Sequence, residues 1–96
     1  MHIVLGDRYT VALFKLMGFE GKVLEKPEEV LEFIIKHIDV YDVVFITSNL
    51  ARQIKKDLDD IRIKYTRKLF VEVPSVLEGM EKDVNYLQIV RQVLGG

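Results

Sequence analysis

Three short runs rich in β-branched and aromatic residues, with a weaker fourth, are separated by segments of helical period and set the strongest limit on what this chain can fold into. The runs are His2-Ile3-Val4-Leu5, Asp42-Val43-Val44-Phe45-Ile46 and Lys68-Leu69-Phe70-Val71-Glu72-Val73, with a weaker one from Glu20 to Leu24. The first two of these are almost continuously apolar, as strands are when both faces of a parallel sheet are covered. The Glu20–Leu24 run sits between Gly18 and Pro27 and reads as a shorter strand nearer an edge.

Between the runs the apolar spacing changes to that of a helix. Thr10 to Met17 predicts a first helix, with Val11, Leu13, Phe14, Leu16 and Met17 as its apolar residues and Gly18 as its stop. Glu28 to Ile38 predicts a second. Pro27 suits its first turn, and Glu28 and Glu29 suit the positive end of its dipole. Val30, Leu31, Ile34, Ile35 and Ile38 make its apolar face. Leu50 to about Ile61 predicts a third, more charged helix with a narrow stripe of Leu50, Ile54, Leu58 and Ile61. Asp83 to Leu94 predicts a fourth, ending at Gly95-Gly96. Strand and helix therefore alternate four times, the signature of βαβ units joined by right-handed crossovers. The expectation is one α/β domain over residues 1–96: a four-stranded parallel sheet in the order 2-1-3-4, a truncated flavodoxin- or receiver-like arrangement.

Composition narrows the function classes. A net charge of −1 disfavours bulk electrostatic binding to nucleic acid or anionic membrane, and the absence of Cys removes disulfides, thiolate metal sites and a thiol nucleophile. The apolar run Ile3-Val4-Leu5 is broken at once by Gly6-Asp7-Arg8, too short for a secretory signal. No stretch approaches the roughly 18 apolar residues of a membrane span. The expected location is cytoplasmic, without direct membrane insertion.

In this fold, chemistry belongs at the C-terminal ends of the strands. The residues there are Gly6-Asp7-Arg8-Tyr9-Thr10, Thr47-Ser48-Asn49 and Pro74-Ser75. A phosphate-binding loop needs closely spaced glycines; here one Gly6 precedes Asp7, whose charge opposes phosphate. A phospho-receiver needs an acceptor Asp after strand three, where Ile46-Thr47-Ser48 stands instead. Asp7 reads as a turn residue or helix cap, and Thr47 and Ser48 as caps of the third helix. His2 and His37 lack metal-ligand spacing, and Asp57, Asp59 and Asp60 lack the calcium-loop pattern. No His falls near Ser48 or Ser75 to activate a hydroxyl. The basic run Arg62 to Lys68 reads as a solvated turn facing the acids Asp57 to Asp60. The expectation is no catalytic centre, no cofactor and no metal.

The C-terminal helix is different in kind. Tyr86, Leu87, Ile89, Val90, Val93 and Leu94 cover an arc of about 160°, wider than the ~100° that packing on a sheet needs. Asn85, Gln88 and Gln92 lie opposite. That width fits either an ordinary sheet-covering helix or one that also meets a partner helix.

The order of the motifs resembles the F-subunit family of V-type and archaeal-type rotary ATPases. The resemblance lies in Gly6-Asp7 ending the first strand and in the Thr10-Val11…Gly18 helix. It continues in Ile46-Thr47-Ser48-Asn49-Leu50-Ala51-Arg52-Gln53-Ile54 and in Phe70-Val71-Glu72-Val73-Pro74-Ser75. It spans nearly the whole chain, departing at Leu13, where the family has glycine, and at Lys68, where it has proline, while the C-terminal segment matches in character rather than in letters. The resemblance implies a non-catalytic rotor component of the central stalk. Such a protein binds the coiled-coil D subunit inside the ring of A and B subunits and helps couple ATP hydrolysis or synthesis to ion transport. Its implied binding surface is Tyr86, Leu87, Ile89, Val90, Val93 and Leu94. The competing reading from the residues is a receiver-like signalling or interaction module without a phosphoacceptor.

Overall fold

The computed structural model describes residues 1–81 and residue 92. Nine elements follow in chain order: β1 His2–Gly6, α1 Arg8–Leu16, β2 Glu20–Val23, α2 Pro27–His37, β3 Val43–Thr47, α3 Ser48–Gln53, α4 Lys55–Lys64, β4 Leu69–Val73 and α5 Val76–Glu81. The strands form one all-parallel sheet in the order β2-β1-β3-β4, as the alternation predicts. The segment Asp83–Leu94 that carries the proposed partner-binding residues lies outside the described residues, apart from Gln92.

The alternation of side chains along each strand divides the core in two. Ile3 and Leu5 of β1, with Val44 and Ile46 of β3 and Phe70 of β4, meet Val30, Ile34 and Ile38 of α2 and the apolar residues of α3 and α4. Val4, Phe45 and Val73 face the other way, against Val11 and Phe14 of α1. Phe14, Phe19 and Phe45 form a ring cluster with centroids 5.4–5.6 Å apart.

That cluster is set by how α1 ends. The Phe19 amide donates to Phe14 O and the Gly18 amide to Lys15 O, with Gly18 at φ 94°. These are the paired bonds of a Schellman motif, which needs a left-handed residue and places the residue after it over the last turn. Phe19 is thereby laid on Phe14.

Two helix readings need correction. The stripe from Leu50 to Ile61 is not one helix: the backbone breaks at Ile54, with φ −119° and ψ 24°, where its amide turns to Ala51 O. Leu50, Ala51, Ile54 and Leu58 are all buried. The turn at Ile54 divides the stripe between two short helices, α3 and α4, both of which place apolar residues against the sheet. The second helical piece also runs on to Lys64. The apolar faces of α1 and α2 are narrower than their sequences suggest. Val11 and Phe14 are buried but Leu16 is 85% exposed; Val30, Ile34 and Ile38 are buried but Ile35 is 67% exposed.

Asp42 gathers the N-terminal ends of three strands. Its amide donates to Met1 O, its carbonyl accepts from the Leu69 amide, and its carboxylate meets the Met1 ammonium at 3.1 Å and Lys68 Nζ at 3.3 Å. Hydrogen bonds from the N-terminal ammonium and Lys68 hold the Asp42 carboxyl below the ordinary aspartate range. A group lowered in the folded state stabilises the fold above its unfolded pKa, and that contribution fades as pH falls through the folded value.

Phe14→Ala is expected to cost about 3–5 kcal/mol in denaturant unfolding, and Gly18→Ala about 1 kcal/mol through backbone strain alone. Asp42→Asn should lower stability at neutral pH and leave less of it to lose on acidification, measured as a shallower acid limb of stability against pH than in the wild type.

Candidate functional site

Where β1 and β3 lie side by side their chains leave toward opposite faces of the sheet, α1 to one and α3 to the other. Such a switch point opens a crevice at the C-terminal edge of a parallel sheet. Here the crevice measures about 480 Å³ and is lined by Asp7, Arg8, Tyr9, Glu25, Thr47 and Asn49 together with Leu24, Leu50 and Leu77.

One of its polar groups, Asp7, holds a helix end. Asp7 is the N-cap of α1: Oδ1 accepts from the Tyr9 and Thr10 amides at 3.1 and 2.9 Å, as the cap reading of this residue predicts. Oδ2 accepts from the Thr10 hydroxyl at 2.9 Å, and that hydroxyl accepts from the Val76 amide at 3.0 Å. Thr10 is fully buried. One chain of hydrogen bonds thus runs from the turn after β1 to the first residue of α5, fixing where the chain sets out beyond β4. The Ser75 hydroxyl accepts from the Glu78 amide at 3.1 Å, one half of a capping box. The sequence carried that signal in Ser75-Val76-Leu77-Glu78; no sequence signal marked the Thr10–Val76 link.

Thr47 departs from its reading as a side-chain cap. It stands at the N-cap position of α3, but its side chain makes no capping bond, and Oγ1 is buried without a partner. The reason is its neighbour. A Cβ at Gly6 would fall 2.4 Å from Thr47 Cγ2, so the Thr47 side chain is turned across the sheet into the space that glycine leaves. Ser48 is the first residue inside α3 rather than its cap.

Arg8 donates to the Tyr9 hydroxyl at 2.8 Å and lies over the Tyr9 ring, 4.9 Å from its centroid. That hydrogen bond, with smaller help from Glu25, raises the guanidinium's pKa and keeps it charged. Both histidines are at the far edge of the sheet. His2 starts β1 and packs on Phe19, and His37 ends α2 and packs on Phe33. Neither stands with Ser48 or Ser75 at the C-terminal edge, and among the described residues no three His, Asp or Glu side chains cluster as metal ligands.

The basic run is a solvated turn only in its second half, where Thr66 and Arg67 lie exposed before β4. Arg62 and Lys64 belong to α4, and Arg62 Nη2 donates to Phe70 O at 2.6 Å and Nη1 lies 3.6 Å from Asp59. Lys64 covers the Tyr65 ring, and Lys68 is paired with Asp42. Arg62 and Lys68 are thus held against the fold's own acids and a carbonyl. Tyr86, Leu87, Ile89, Val90, Val93 and Leu94 fall outside the described residues.

The two buried threonines give opposite expectations. Thr10→Val leaves the Val76 amide without its acceptor and should cost about 1–3 kcal/mol. Thr47→Val removes a hydroxyl with no partner, so urea unfolding should show stability unchanged or raised by up to about 1 kcal/mol.

No curated protein matches the chain. A family model described as ATP synthase (F/14-kDa) subunit matches residues 3–90, from β1 through the sheet, α5 and on into the segment beyond it. The chain therefore belongs to the F-subunit family of V-type and archaeal-type ATP synthases.

Proposed function

We propose that this chain is a non-catalytic component of the central stalk of a V/A-type rotary ATPase, seated on the coiled-coil D subunit within the ring of A and B subunits. In that position it helps couple ATP hydrolysis or synthesis to ion transport. The observation that carries the reading is the family match over residues 3–90. At the C-terminal edge of the sheet Asp7, Thr10 and Ser75 hold helix ends.

The binding surface in this proposal is Tyr86, Leu87, Ile89, Val90, Val93 and Leu94. The first four lie inside the family match. An apolar arc broader than a sheet requires gives a partner helix its own strip to pack on. The Val76–Thr10 bond supplies a fixed point on the domain from which that segment departs. The location follows: peripheral to the membrane, in the soluble V1/A1 sector. No helix among the described residues is long and apolar enough to cross a bilayer.

Co-expression with the cognate coiled-coil protein of the stalk tests the proposal. Wild type should co-purify in a stoichiometric complex, and Val90→Asp should weaken the complex at least about tenfold by burying a charge at the contact. The chain alone should show no ATPase activity. Absence of the wild-type complex, or ATP hydrolysis by the purified chain, would contradict it.

A further inference from the structure

The two edges of the sheet are finished differently. At β4 the Leu69 amide points inward, to Asp42 O, so by alternation the Phe70 carbonyl points outward; Arg62 reaches over from α4 and caps it at 2.6 Å. That edge is guarded. At β2 the Leu24 amide points inward, to Gly6 O, so Lys22 also faces β1 while the amides and carbonyls of Gly21 and Val23 point outward. No side chain of the described residues hydrogen-bonds to them. Beside them lies an open groove of about 620 Å³, with Lys15 on one wall and Phe33, His37 and Tyr41 on the other.

We infer that this open β2 edge pairs with the β2 edge of a second copy of the chain, antiparallel, about a two-fold axis through Gly21. The backbone permits this register, and the charged side chains single it out from the others it permits. Only outward-facing residues can form the hydrogen-bonded pairs of an antiparallel ladder, and Gly21 opposite Gly21 of the second copy satisfies this. In that register Glu20 falls opposite Lys22 of the second copy, and Lys22 opposite its Glu20, both in closely spaced non-hydrogen-bonded pairs. Both side chains lie on the α2 face of the sheet. Glu20 is held there by the Tyr41 hydroxyl at 2.8 Å, and Lys22 by the Phe33 ring at 5.7 Å. Two oppositely charged residues flanking a glycine are complementary to themselves when the strand is reversed, which is what an isologous interface requires. Phe33 and Tyr41 of both copies then wall in the two ion pairs. With only four residues in β2, the pairing is weak and reversible.

Sedimentation equilibrium of the 96-residue chain up to about 1 mM tests this inference. Wild type should dimerise reversibly and more weakly as salt is raised. Glu20→Lys and Lys22→Glu, which each place like charges opposite one another, should each weaken the dimer at least about tenfold. An equimolar mixture of the two variants, and the double variant carrying both reversals, should regain the wild-type affinity. Val23→Pro deletes an outward amide without touching a bond to β1; it should be monomeric with an unchanged circular dichroism spectrum. A wild type that stays monomeric throughout, or a dimer indifferent to both charge reversals, would overturn the inference.

Discussion

Burial of β1 and β3 on both faces is the constraint on which the rest of this structure depends. Val4, Leu5 and Ile46 have no exposed surface, and Ile3, Val44 and Phe45 have almost none. A sheet with such strands at its centre must carry helices above and below, and parallel strands need long crossovers to supply them. α1 covers one face through Phe14, and α2, α3 and α4 cover the other. Every connection then returns over the sheet, and the helix starts after β1, β3 and β4 gather at one edge. Three polar residues of that edge, Asp7, Thr10 and Ser75, are engaged with helix N-termini. Asp7 and Thr10 serve α1 and α5 at once, and Ser75 serves α5.

Much of this was legible because burial on two faces writes a simple pattern. Runs such as Ile3-Val4-Leu5 and Val43-Val44-Phe45-Ile46 have no polar interruption, and the alternation of strand and helix leaves few topologies for four strands, so the order 2-1-3-4 could be read directly. Asp7 before a helical segment read correctly as a cap. The break at Ile54 was hidden, since neither glycine nor proline marks it and the apolar spacing of Leu50, Ile54 and Leu58 runs through it unchanged. Ile35 and Leu16 misled as well. Ile35 sits beside the core residue Ile34 and the helix rolls only far enough to bury one of the two, while Leu16 lies in the last turn of α1, beyond its last buried residue Phe14. Thr47 was misread because the capping preference of threonine is local, whereas its actual orientation is decided by the missing side chain at Gly6 in the neighbouring strand.

The proposed partner-binding residues stand apart from these. The extra width of apolar arc over Tyr86–Leu94 is a property of sequence alone, and the family match reaches only as far as residue 90. What the described domain adds is a platform. A tightly packed core, a charged exterior with its cations held by Asp42 and Asp59, and an α5 locked to α1 through Thr10 give the chain beyond α5 a fixed origin.

The central claim is that this chain rides on the stalk through its C-terminal segment. Placing a photo-crosslinking residue at position 90 of the chain within the assembled ATPase tests it most directly. The account predicts a single major adduct, to the coiled-coil protein of the shaft. Adducts confined to the A and B subunits, or an assembled complex in which position 90 reaches no neighbour, would contradict it.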